Sequence, residues 1–112
     1  MARTTAATTE EAHELPAVQP VGTVQQVLAA LADPVRLEMV RQLAEAGAPV
    51  ACAQLYEGIN KSTASHHFKI LREAGLTERV VVGGQIHQLL RSREVDDALP
   101  GVLDAVVAAA RA

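Results

Sequence analysis

INKSTASHHFKILREAGL, residues 59–76, is the stretch on which the fold turns. Ala64, Phe68 and Leu71 fall at i, i+4 and i+7, the apolar face of a helix that begins near Ser62 and ends at Gly75. The other face of its N-terminal half is short and polar: Ser62, Thr63, Ser65 and His66, with Lys69 one turn on. A tight polar turn, Gly58-Ile59-Asn60-Lys61, comes directly before it. Ahead of that turn, after Pro49, a short helix from about Ala51 to Gly58 offers Leu55 and Ile59 to a core.

Further upstream, Val24, Val27, Leu28 and Leu31 recur at i, i+3, i+4 and i+7 and predict a first helix. Asp33-Pro34 stops it and starts a second, since Asp caps orphan amides and Pro suits the first helical position. That second helix carries Leu37, Val40, Leu43 and Ala44 inward and leaves Arg36, Glu38, Arg41, Gln42 and Glu45 largely to solvent, with Gly47 as its end. Downstream, the β-prone runs Thr77–Val82 and Gln85–Leu90 flank Gly83-Gly84, a pair suited to a two-residue hairpin turn. A last helical stretch from about Glu94 to Ala110 bears Leu99, Val102, Leu103, Val106 and Val107, with Pro100 as a kink or as its true first turn. Residues 1–20, rich in Thr, Ala and Glu and without a sustained apolar period, read as a mobile arm ahead of one domain over 21–112.

The expected architecture is mainly α with a small β-hairpin, in the order ααααββα. A short helix, a tight turn, a helix with an exposed polar start and a hairpin bearing arginines is winged helix-turn-helix order. In that arrangement the second helix of the motif enters the major groove of double-stranded DNA and its first residues reach base edges. Ser62, Thr63, Ser65 and His66 are suited to readout, and Asn60, Lys61 and Lys69 to phosphates. Arg79, Gln85, His87 and Arg91 are the wing candidates. The competing explanation is that these polar groups only cap and solvate a surface helix.

Charge placement bears on that choice. The chain has a formal net charge of −3, yet residues 60–93 hold six basic residues (Lys61, Lys69, Arg72, Arg79, Arg91, Arg93) against Glu73 and Glu78, a local +4. A polyanion would meet one basic segment on an otherwise acidic molecule. At 112 residues, with only Tyr56 and Phe68 as aromatics, the core must be built from Leu, Val, Ile and Ala, and a domain this small gains from pairing. No apolar run is long enough to span a bilayer and the polar start lacks secretory-signal order, so the chain is expected in the cytoplasm. No nucleophile–base pair, phosphate loop or metal triad suggests an enzyme.

Together, LADPVRLEMVRQL (31–43), INKSTASHHFKILREAGL (59–76) and the hairpin ERVVVGGQIHQLL (78–90) resemble the ArsR/SmtB family of winged-helix regulators. The resemblance implies a sequence-specific regulator, repressor by family default, that binds a palindromic operator as a homodimer. It also implies a dimer seam made by the first and last helices, which matches the stripes Val24, Val27, Leu28, Leu31 and Leu99, Val102, Leu103, Val106, Val107. Half-sites would then lie roughly 34–36 Å apart.

Family members commonly sense metals through Cys, His and carboxylate clusters, and this chain departs from both usual patterns. Cys52 stands alone where thiol sensors carry a pair, and Asp96, Asp97 and Asp104 of the last helix have no histidine beside them. His13, with Glu10, Glu11 and Glu14, is a loose set for nickel or zinc, against a solvated acidic patch. The trigger is therefore left among a partner protein, an organic ligand or redox state, and that weak metal site, unless binding is constitutive. The rival function is a winged-helix protein-interaction module without DNA binding.

Overall fold

Helix α1, Val24–Leu31, starts where Thr23 closes a capping box: its hydroxyl accepts from the Gln26 amide at 3.2 Å while the Gln26 side chain accepts from the Thr23 amide at 2.8 Å. The computed structural model describes residues 15–111. Helix α2, Pro34–Ala46, follows at once, its Asp33 carboxylate accepting from the Val35 and Arg36 amides at 2.9 and 3.1 Å. Partial burial pushes the Asp33 carboxyl up, but those amides and the nearby Arg36 charge outweigh it and hold the group below its ordinary value. On the outer face of α2, hydrogen bonds from Arg41 and Gln42 pull the Glu38 carboxyl down to about 2.

The structure departs from the sequence expectation in the next two elements. Val50–Ala51 forms a short strand, β1, and the helix after it, α3, is a single turn, Cys52–Leu55, instead of running to Gly58. The β-branched Val50 is recruited by the hairpin's open side, where it pairs antiparallel with Gln88. Helix α4, Lys61–Glu73, begins one residue earlier than expected, because Asn60 is its cap and accepts from the Thr63 amide at 2.8 Å.

Strands β2, Thr77–Val82, and β3, Gln85–Leu90, pair antiparallel from Thr77 opposite Leu90 to Val82 opposite Gln85, and the sheet order is β1-β3-β2. Gly83 and Gly84, with φ of 59° and 79°, make the turn in the left-handed region that matches the twist of a hairpin. The last stretch is two helices: α5, Ser92–Ala98, and α6, Val102–Arg111. Leu99, Pro100 and Gly101 form the break, where the Asp96 carboxylate accepts from the Gly101 amide at 3.1 Å.

The core is one aliphatic cluster: Val27 and Leu31 from α1, Met39, Val40 and Leu43 from α2, Leu55, Phe68, Leu71, Leu76, Leu90 and Val95, closed by Leu103 and Val107 of α6. The stripes proposed for a dimer seam are therefore divided. Val27, Leu31, Leu103 and Val107 are spent inside one chain, whereas Val24 and Leu28 stay exposed and Leu99, Val102 and Val106 are half-buried. Both stripes are wide enough to serve a core along one edge and leave apolar surface along the other.

Residues 15–20 have no regular structure but are tied to the body. The Arg91 guanidinium, only 9% exposed, donates to the Gln19 carbonyl at 2.6 Å and to the Gly75 carbonyl at 2.9 Å. Gly75, at φ 79°, ends the segment begun by α4, and a Cβ there would overlap the Pro20 carbonyl oxygen and the Val21 Cα. The C-terminal end of the expected arm, Gln19 and Pro20, thus packs on the body, and residues 1–14, His13 among them, lie outside the described residues.

Candidate nucleic-acid interface

Helix α4 turns Ala64, His67, Phe68 and Leu71 inward and leaves Lys61, Ser62, Thr63, Ser65, His66 and Lys69 exposed. This split follows from the 3.6-residue period: the buried set anchors the helix on the core, so the polar set must face out. Phe68 meets Tyr56 edge-on, with ring centroids 6.4 Å apart and planes at 68°, which fixes the α3–α4 corner. Asn60 is partly committed to its own helix, since its side-chain oxygen also accepts from the Ser62 hydroxyl at 3.0 Å. The Ser65, His66 and Lys69 side chains have no such ties among the described residues and can reach a ligand.

His67, adjacent to His66 in sequence, has a different job. Its Nδ1 lies 3.1 Å from Arg36 Nη1 and 3.9 Å from the Asp33 carboxylate, while Arg36 Nε donates to the Ala30 carbonyl at 2.7 Å. A guanidinium only donates, so in this bond Nδ1 is the acceptor and a neutral ring keeps its proton on Nε2. The result is a strut that joins α4 to the α1–α2 corner. Arg36, expected largely in solvent, is half-buried, and only the long-range placement of His67 shows why.

The wing candidates separate in the same way. Gln85 is exposed near the tip, and His87 is half-buried, its Nδ1 lying 3.1 Å from the Gln85 carbonyl. Arg79 stands half-buried at the root of the hairpin. Arg91 is a correction: buried and bonded to two backbone carbonyls, it latches the N-terminal segment and is not free to meet DNA. The basic charge available at the surface is accordingly smaller than the count over 60–93 implies, with Lys61, Lys69 and Arg93 exposed. From Val80 to Leu90 the hairpin has no Lys or Arg, and Val81 and Val82 are 41% and 46% exposed.

Among the described residues, no group of three or more His, Cys, Asp or Glu side chains is placed to hold a metal. Cys52 is half-buried, with the Gln88 amide 3.6 Å from its sulfur. No helix among the described residues is long and apolar enough to cross a membrane.

Comparison with known proteins agrees with this geometry. A helix-turn-helix domain model matches residues 31–80, from the end of α1 to the root of the wing. The chain is 40% identical over 81 residues to YceK, an uncharacterized HTH-type transcriptional regulator of Bacillus subtilis (strain 168), across 70% of this chain and 81% of that one. Among solved structures it is similar to the transcriptional repressor BigR from Xylella fastidiosa, with a TM-score of 0.59 and 25% identity over 95% of this chain and 96% of that one. An ArsR-like transcriptional regulator from Rhodococcus sp. RHA1 has the same fold, with a TM-score of 0.59 and 24% identity over 78% and 82% of the two chains. With its winged fold, exposed recognition helix and this degree of identity, the chain belongs to the helix-turn-helix transcriptional regulators and is a DNA-binding protein of that family.

Proposed function

We propose that the protein is an ArsR/SmtB-type repressor that binds a palindromic operator as a homodimer. Residues 61–73 lie in the major groove and the hairpin rests on flanking DNA. The observation that carries this reading is the exposed row Lys61, Ser62, Thr63, Ser65, His66 and Lys69 on a helix otherwise clamped to the core. Ser65 and His66 read base edges; Lys61, Lys69 and the Asn60 end of the helix position the backbone. Gln85 and His87 meet DNA along the wing, with Arg79 behind them. The exposed Val24 and Leu28 support a seam through α1, and the similarity to a repressor, BigR, supports repression as the outcome.

The trigger is neither a thiolate pair nor a His/carboxylate site between helices, since Cys52 is the single cysteine and Asp96, Asp97 and Asp104 lack a histidine partner. A partner protein, an organic ligand or a nickel or zinc ion at His13 takes that role. The test is binding of the purified protein to its own promoter region against scrambled DNA, at several salt concentrations, with and without nickel or zinc. Specific, salt-sensitive binding is expected; its absence at every salt concentration would move the assignment to a protein-interaction module.

A further inference from the structure

Between α2 and the segment that joins α3 to α4 lies a cleft of about 370 Å³. Val35 of α2 and Leu55 and Ile59 of the joining segment give it an apolar lining, and Leu55 is itself part of the core. Glu38 and Glu57 supply charge at its rim. Apolar walls with a few converging polar groups, in a volume of about 300–1,000 Å³, are the usual form of a small-molecule site.

The charge of the cleft has one sign, since no Lys, Arg or His lines it. Its two carboxylates differ in what they are free to do. Glu38 is held by Arg41 at 2.8 Å and by Gln42 at 2.9 Å, so it shapes the rim. Glu57 is exposed and makes no ion pair among the described residues, which leaves its charge to a ligand. Tyr56 adds an aromatic wall, and a carboxylate beside an aromatic ring attracts a cation. An anion is repelled by the same pair of carboxylates, and so are DNA phosphates, which separates this cleft from the DNA interface on α4.

We propose that this cleft binds a small organic cation, a protonated amine on an apolar body, with the body against Val35, Leu55 and Ile59 and the charge at Glu57. The site adjoins the start of the recognition helix. Tyr56 meets Phe68 of α4 edge-on, the Ile59 amide donates to the Tyr56 carbonyl at 3.1 Å, and Asn60, the next residue, caps α4. A ligand that grips both α2 and this turn fixes the position from which α4 enters the groove, and so serves as the organic trigger. Only this regulatory effect rests on the DNA-binding reading.

Heteronuclear NMR titration of the uniformly labelled full chain with phenethylammonium chloride, against phenethyl alcohol and against sodium chloride of equal ionic strength, tests the site without DNA. Saturable amide shifts centred on Val35–Gln42 and Gln54–Asn60 are expected with the ammonium, and about tenfold weaker binding with the alcohol, which lacks the charge. Glu57→Gln, a change at an exposed residue, is expected to weaken the ammonium about fivefold, whereas Glu45→Gln, on α2 outside the cleft, leaves it unchanged. Shifts that do not saturate, equal affinity for the alcohol, or undiminished binding by Glu57→Gln each overturn the site. On operator DNA, saturating ammonium is expected to change wild-type affinity about fivefold or more and that of Glu57→Gln less at the same concentration. Specific DNA binding indifferent to the bound cation overturns the trigger role, while cation binding by a chain that shows no specific DNA binding supports the site and counts against the regulator reading.

Discussion

Arg91 and His66 mark the two fates open to a charged or polar residue in this chain. Arg91 is spent on the carbonyls of Gln19 and Gly75, groups otherwise brought together by nothing in the sheet. Arg91→Ala removes both bonds, strands the buried Gly75 carbonyl and is expected to cost about 2–3 kcal/mol in denaturant unfolding, as hydrogen bonds to a charged group do. Its exposed neighbour Arg93 is the control, with a change to Ala expected within about 0.5 kcal/mol. His66 faces out and carries no structural bond among the described residues. His66→Ala should therefore leave Tm in place and narrow the gap between operator and scrambled DNA by about 1–3 kcal/mol. Equal loss on both DNAs would remove its part in base readout.

Helix ends and turns were legible because their chemistry is local. Asp33-Pro34, Gly47, Gly75 and the Gly83-Gly84 pair each sit where their residue type requires, as a cap, a stop or a hairpin turn. What escaped depends on residues far apart in sequence. β1 exists because Gln88 is there to pair with Val50, and the single-turn α3 follows from it. Arg36 and Arg91 look like solvated charges until His67 and Gln19, respectively, are brought against them. The outward face of α4 was legible from period alone, whereas the approach of Arg72 and Arg79 to residues 16–19 needed the sheet register and the path of that segment. Asp33 and Glu38 both have folded-state values below their unfolded ones, so their stabilisation is full above about 4.5 and is lost as pH falls toward about 2. Denaturation midpoints measured between those pH values should drop, and Asp33→Asn combined with Glu38→Gln should flatten the decline; an equally steep decline in that variant would place the acid-sensitive groups outside α2.

For the whole molecule, assembly and the sheet edge matter most. Leu28 is 45% exposed on α1 and contributes little to the core of its own chain. Leu28→Asp should leave the monomer folded while placing a carboxylate in the proposed seam, which gives monomers by analytical ultracentrifugation. Val106 is half-buried against its own core, so an Asp there should lower stability as well as break pairing. A stable dimer after Leu28→Asp would take α1 out of the seam. With order β1-β3-β2, β2 is an edge strand, and its free side runs through Val80, Val81 and Val82, three β-branched residues without a charge among them. Proteins usually blunt such an edge with lysine, proline or a bulge. Here the blunting is left to Glu78, Arg79 and the passing segment Pro16–Gln19 at the root, while the tip stays open. In concentrated solution without DNA, the tip is the place where strands of separate molecules are expected to zip together.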